Sequence, residues 1–352
     1  MNEKRIRIVD IAEELGVSTA TVSNVIHGKT KKISDETVKR VQELLEKKQY
    51  IPSMAGILLA QNSSRIVGVV VNDHEKYESR VLEDNFISSS LNYLSNELEQ
   101  AGYFMMVKVT KEWGEIAKFA SMWNMEGMVI IGFCEQDYKK LRDKMHIPFV
   151  VYDGYLTEPG RMSNLVIDNY DGGFQMGNYF RMSGHKNVLC ISDNDVCMDL
   201  ERFKGFKDGM ESNTGSICKA EGQNLQSETN NIVDFMLIPM EKEKRMLFYQ
   251  QNLEQLKSYT AIFAVSDYYA IDLMQFLWGN GIRVPDEISV AGFDDCPACE
   301  MVYPGLTTIR QNGKQRAKMA ISMLNKLRDK EESGETITLP VTLVERKSVR
   351  KI

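Results

Sequence analysis

The chain has 352 residues, 43% hydrophobic and 26% charged, with a formal net charge of −6. This is an ordinary composition for a folded protein of two or three domains. It excludes a low-complexity or collagen-like chain, and no apolar run approaches the roughly 18 residues that span a membrane.

The N-terminus, MNEKRIRIVD, lacks the apolar core of a secretory signal, so a cytosolic (cytoplasmic) location is expected. In a reducing compartment the six scattered cysteines are expected as thiols. Charge is uneven: residues 1–64 carry ten Lys/Arg and eight Asp/Glu, the remainder 33 and 41. A mildly basic head on an acidic body is compatible with DNA contact through the head.

The first elements in chain order are helices. Ile8, Ile11, Ala12 and Leu15 form one helical face. Gly16 interrupts it, and Ser18 stands where a hydroxyl would cap a second helix. Val17 and Val22 have the spacing of a hydrophobic staple, and Val22, Val25 and Ile26 form the inward stripe. Ala12, Gly16 and Val22 thus fall at helix-turn-helix spacing. The second helix is then the one that enters a major groove. Its outward residues, Thr19, Ala20, Thr21, Ser23, Asn24 and His27, are short or polar, as reading base edges at close range requires. A plain helical hairpin with a solvated face is the competing reading. Ser34 caps a third helix with Val38, Val41 and Leu45 inward, ended by Pro52. Lys29, Lys31 and Lys32 precede it and suit phosphate contacts.

SMAGILLA, residues 53–60, has at most two helical turns and would be marginal alone. The expected divisions are a head at 1–51, a hinge helix and linker at 52–64, and a body at 65–352. In the body, apolar strands alternate with amphipathic helices. IVGVVV, FMMVKV, GMVIIGF and PFVVYDG form one set of strands, and NLVIDN, NVLCIS, AIFAVSD and EISVAGFDD a second. Such alternation predicts an α/β body with parallel sheets in two lobes. Ligands bind at the carboxyl ends of such strands, which makes Asp73, Asp153, Asp168, Ser266 and Asp294 candidates. Cys296 and Cys299, in CPAC, have redox or metal spacing, but no clustered histidines complete a ligand set, so neither metal nor cofactor is expected.

The segments VDIAEELGVSTATVSNVIHG and KKISDETVKRVQELLEKKQYIPSMAGILLAQNSSRIVGVVV resemble the lactose-repressor/galactose-repressor family of bacterial transcription regulators. The resemblance continues through VYDG, ERFKGF, VPDEISVAGFDD and LTTIRQN and covers nearly the whole chain. It implies a helix-turn-helix head joined by a hinge helix to a two-lobed, periplasmic-binding-protein-like body. It also implies a hinge that folds on DNA and sets Leu59 into the minor groove. By the same resemblance Asp153, Arg202 and Asp294 touch the effector, with Asp73 and Ser266 at neighbouring strand ends. A cleft with carboxylates and a guanidinium suits a sugar or sugar derivative. The expected function is therefore a ligand-responsive regulator, a repressor, binding double-stranded operator DNA at an inverted repeat. The chain ends without a heptad helix, so a homodimer is expected.

Three features depart from the family pattern. Ser266 stands where many relatives have Asn, and Asn24 where many have Arg. The stretch 73–86, DHEKYESRVLEDNF, is several residues longer than usual. Two other functions use the same body: a transporter's solute-binding protein, and a sugar-acting enzyme. The head and the lack of a signal argue against the first. The lack of a GxSxG elbow or phosphate loop argues against the second, and His185 reads as a packing residue.

Overall fold

The computed structural model describes residues 6–51, 63–133, 141, 143–154, 162–212, 231–329 and 334–352. It forms two compact units, Met1–Arg65 and Ile66–Ile352. The hinge and Leu59 lie outside the described residues.

The described residues of the first unit form three helices: α1 (Ile8–Leu15), α2 (Thr19–Ile26) and α3 (Asp35–Lys47). Gly16 ends α1 in the left-handed region (φ 64), and the Gly16 and Val17 N–H groups donate back to Glu13 and Ala12 carbonyls. A Cβ at Gly16 would meet nothing within 4 Å, so the backbone angle, not space, favours glycine there. Ile11, Ala12, Val22, Val25, Val41 and Leu44 form the core. Lys48 pairs with Glu14 at 2.9 Å, and Arg40 donates to the Leu15 carbonyl at 3.2 Å, tying α3 to α1.

Val38 and Leu45 pack half-buried against this core, and Leu44 joins them as a buried residue. One expectation needs correction: Pro52 does not end α3. The helix stops at Lys47, where Gln49 turns left-handed (φ 48) and Tyr50 N–H donates to the Leu45 carbonyl at 2.9 Å.

Among the described residues the second unit holds three sheets. The strands are β1 (Ile66–Asn72), β2 (Phe104–Thr110), β3 (Gly127–Ile131), β4 (Phe149–Tyr152), β5 (Met162–Ile167) and β6 (Asn187–Ser192). They continue with β7 (Ile232–Leu237), β8 (Ala261–Ala264), β9 (Ser289–Ala291), β10 (Thr308–Gln311), β11 (Thr336–Leu339) and β12 (Val341–Val344). The first sheet has the order β11-β5-β4-β3-β1-β2 and is parallel throughout. The second is β7-β6-β8-β9, also parallel, and β10 pairs antiparallel with β12. Continuous buried runs such as β3, β4 and β8 fit sheets covered on both faces.

NLVIDN does not open the second lobe, contrary to expectation. It belongs to β5, which joins the first sheet beside β4 and is completed by β11 from near the C-terminus. Strands β7, β10, β11 and β12 are not evident from the sequence pattern. The chain therefore passes between lobes at three places: before helix α6 (Asn169–Met182), before helix α10 (Gly313–Arg328), and between β11 and β12. Asp168 caps α6, accepting from Asp171 N–H at 2.9 Å, so it is a cap residue at a crossing.

The remaining long helices among the described residues are α4 (Asn85–Gln100), α5 (Trp113–Met122), α7 (Cys197–Glu211), α8 (Lys242–Gln251) and α9 (Asp267–Gly279). Helices α6 and α7 meet backbone to backbone through Gly173, Gly177, Gly205 and Gly209. His185 is buried, with Nδ1 3.0 Å from the Thr260 hydroxyl and Nε2 3.1 Å from the Arg350 carbonyl, as a packing residue should be.

Candidate functional site

In the head, Ser18 accepts from the Thr21 N–H at 3.1 Å and caps α2. Its hydroxyl is also 2.9 Å from that of Thr21, which holds the Thr21 side chain at the cap. Thr19, Ala20 and Asn24 are exposed, while Thr21, Ser23 and His27 are half-buried. Thr19, Ala20 and Asn24 are therefore the α2 candidates that present most freely. Lys29, Lys31 and Lys32 follow on an exposed loop. This is a helix end with short polar groups beside cations, able to read base edges and bind phosphates.

In the body, a cavity of about 340 Å³ is lined by residues that include Tyr77, Asp84, Phe86, Ser266, Gln275 and Asp294. A second, of about 300 Å³, is lined by Tyr93, Tyr152, Asp294, Gln311 and Arg316 among others. Asp294 borders both. Of the five candidates for the effector, Ser266 and Asp294 line the first cavity. Asp73, Asp153 and Arg202 line neither.

Asp294 follows β9 in a demanding conformation. Its φ is 121, and that of Asp295 is 57, two successive residues in space that favours glycine. Surrounding bonds impose it. Asp294 N–H donates to the Ile309 carbonyl at 2.8 Å, and Gln311 Nε2 donates to its carboxylate at 2.5 Å. Asp295 is clamped by Arg310 at 2.6 Å and Arg346 at 2.7 Å. Strain held in this way is commonly found at ligand sites. Burial pushes the Asp294 carboxyl up to about 8. Ser266 ends the β8 segment at the start of α9, and its buried Oγ has no hydrogen-bond partner among the described residues. An unsatisfied buried hydroxyl beside a cavity is suited to a ligand.

Of the other three candidates, Arg202 and Asp153 are held by the protein itself. Arg202 is buried on α7, with Nε donating to Asn169 Oδ1 at 2.8 Å and Nη1 to the Val265 carbonyl at 2.6 Å. Its guanidinium lies 3.7 Å from the centre of the Phe293 ring, so it braces the two segments that carry Ser266 and Asp294. Asp153 pairs with Arg316 of α10 at 2.6 Å, both nearly buried. Asp73 follows β1, with one buried carboxylate oxygen unpartnered among the described residues.

The sequence pattern did not show how far the 73–86 segment enters the site. It forms two short 3₁₀ turns, Glu75–Tyr77 and Val81–Glu83, and Lys76, Tyr77, Glu78, Arg80, Glu83 and Asp84 all line the first cavity. Glu78 accepts from the Lys242 N–H of the other lobe at 3.1 Å, which carries the segment across the cleft. Burial opposes charge on Lys76, but Tyr77, Asp193, Asp199 and Asp84 outweigh it and raise the ammonium's pKa. Burial also pushes the Tyr77 hydroxyl up to about 12 and raises Asp84. The signal was present as an unusually long charged insertion after a strand end.

The fold and these two sites define a class: a helix-turn-helix head on a two-lobed ligand-binding body. Residues 7–53 match the family of bacterial regulatory proteins described as the lacI family, and residues 178–349 match the periplasmic binding protein-like domain. The chain thus pairs a head like that of the lacI family of bacterial regulatory proteins with a periplasmic binding protein-like domain, and its full-length relatives are transcriptional repressors, not enzymes. It is 27% identical over 356 residues to the HTH-type transcriptional repressor PurR of Vibrio parahaemolyticus, covering 98% of this chain and 99% of that protein. The PurR repressor of Edwardsiella ictaluri is 28% identical, covering 97% and 96%. The lac repressor dimer bound to operator and the anti-inducer ONPF has the same fold, with a TM-score of 0.80 at 21% identity over 99% of this chain and all of that one. The CelR–cellobiose complex gives 0.66 at 19%, over 98% of this chain and all of that one. Among the described residues no helix is long and apolar enough to cross a membrane.

Proposed function

We propose that the chain is a cytoplasmic repressor that binds an inverted-repeat operator as a homodimer and responds to a sugar or sugar derivative. The observation that carries this reading is the union, in one chain, of a lacI-family head and a cavity bordered by Ser266 and Asp294. Hydroxyl-rich ligands suit that cavity: Asp84, Asp294, Ser266 and Gln275 supply donors and acceptors, and Tyr77 and Phe86 supply apolar faces. The solved CelR–cellobiose complex and an Enterococcus faecium lacI-family regulator with bound ribose show sugar ligands in proteins of this fold. Thr19, Ala20 and Asn24 read base edges in this account, with Leu59 as the minor-groove wedge. A ligand that prefers one lobe arrangement shifts the dimer between operator-binding and released states.

The test is a thermal-shift screen of the full chain against sugars, sugar acids, amino sugars and nucleobases. Each hit then goes into an operator-binding titration. The expected result is stabilisation by a sugar that also changes operator affinity. Stabilisation by nucleobases alone would overturn the sugar assignment and leave the regulator standing.

A further inference from the structure

We propose that Asp267, Cys296 and Cys299 form a binding site for a thiophilic divalent cation, zinc above all, in the wall of the effector cavity. The three donors come from two parts of the chain. Asp267 opens α9, Cys296 lies just before a short helix, Ala298–Met301, and Cys299 lies within its first turn. All three side chains are buried, and their ligating atoms lie within 4.8 Å of one another.

The distances fit the chemistry. A tetrahedral zinc with bonds of about 2.3 Å to sulfur sets its two sulfurs about 3.8 Å apart. The Cys296 and Cys299 sulfurs stand 3.7 Å apart. A disulfide would need them at about 2.05 Å. Cys299 Sγ donates to Asp267 Oδ2 at 3.0 Å, so the thiol already points at the carboxylate. Replacing that proton with zinc opens the S···O separation to about 3.6 Å, a movement of roughly half an ångström.

The carboxylate is also braced as a ligand should be. Thr308 Oγ1 donates to Asp267 Oδ1 at 2.6 Å, and Cys296 N–H donates to Oδ2 at 2.8 Å. Outer hydrogen bonds of this kind orient ligating carboxylates in metal sites. Two thiolates and one carboxylate are a soft donor set that selects zinc over magnesium or calcium. Three protein ligands are the number found where a fourth position takes water or a bound molecule. Asp267 and Cys296 both line the cavity that Ser266 and Asp294 border, so that fourth ligand has access from the cleft. On binding, the two thiols release their protons and the cation takes their place.

The proposal stands apart from the sugar reading, since the test uses the metal alone. Full-length protein, reduced and freed of metal with a chelator, is titrated with Zn²⁺ and, separately, with Co²⁺ as a coloured substitute. The expected result is one ion per chain by native mass spectrometry and a thiolate-to-cobalt charge-transfer band. Cys296→Ser should lose the band and bind zinc at least about 100-fold more weakly, since loss of an outer-shell partner alone costs about 10–100-fold. Undiminished zinc affinity in a folded Cys296→Ser protein overturns the site. Should that variant fail to fold, X-ray absorption of the zinc-loaded wild type decides. Two sulfurs at about 2.3 Å support the site, and a shell of nitrogen and oxygen alone refutes it.

Discussion

Replacing Gly173 with alanine should damage the body far more than a single methyl group suggests. Helices α6 and α7 run against each other with glycines on both sides of the seam. A Cβ at Gly173 would lie 2.0 Å from the Arg202 carbonyl oxygen, 2.8 Å from its carbon and 2.9 Å from the Phe206 nitrogen. Comfortable contact needs about 3.5 Å, so the helices must part by roughly 1.5 Å. The atoms struck are backbone, which no rotamer change can move aside. The same separation would loosen the contacts at Gly177, Gly205 and Gly209, where an added Cβ would also fall within 2.3 Å of a backbone oxygen. Overpacking typically costs about 1–3 kcal/mol, and this site belongs at or above the top of that range. At about 2–4 °C per kcal/mol, Tm should fall by roughly 6–12 °C. The control is Gly114→Ala on α5, where a Cβ meets nothing within 4 Å. Alanine there should be neutral or stabilising by up to about 1 kcal/mol. Thermal unfolding followed by circular dichroism on both variants tests the account. A Gly173→Ala protein that melts within about 1 °C of wild type would refute the close-packed seam.

Three further outcomes follow from the geometry. Burial holds the Asp294 carboxyl at about 8 against an ordinary 3.8, so the folded chain keeps a proton that the unfolded chain releases. This stabilising contribution is full below about pH 4 and is lost as pH rises towards about 8. Asp294→Asn should therefore gain stability relative to wild type across that window, and parallel Tm–pH curves for the two would contradict it. Arg316→Met leaves the Asp153 carboxylate buried without its 2.6 Å partner, which should cost about 3–5 kcal/mol in urea unfolding; a loss under about 1 kcal/mol would show the pair to be solvated. Asn24→Ala should lose about 1–3 kcal/mol of discrimination at one base pair in a selection from random duplexes, and an unchanged preference at every position removes Asn24 as a reader.

The head was legible because its signals are local. Gly16 at a left-handed turn, Ser18 and Ser34 as caps, and valines at helical spacing all act within a few residues of themselves. Most parallel strands were legible for a similar reason, as short apolar runs between helices. What escaped was non-local. Nothing within NLVIDN states that β5 pairs with β4, because pairing depends on where the chain crosses between lobes. β11 and β12 are short, partly exposed segments whose partners lie far back in the chain.

The site divided along the same line. Ser266 and Asp294, at strand ends of the second sheet, reach a cavity as that position suggests. Asp153 occupies an equivalent position in the first sheet, yet Arg316, more than 160 residues later, claims its carboxylate. Arg202 has the right chemistry for a ligand but is engaged by Asn169 and the Val265 carbonyl. Pairings of this kind are invisible in a residue pattern. The contribution of Lys76 and Tyr77 was equally hidden, since a long insertion does not announce which way it folds.

Occupancy of the body's cavity is expected to set the head's affinity for DNA. The most direct measurement is fluorescence anisotropy of the full chain on a labelled inverted-repeat duplex chosen from a random library, with and without a saturating hit from the thermal-shift screen. The account predicts that the ligand changes operator Kd by about 5–150-fold and that operator changes ligand Kd by the same factor, since the coupling is reciprocal. An operator Kd that stays the same while the cavity is demonstrably saturated would contradict it.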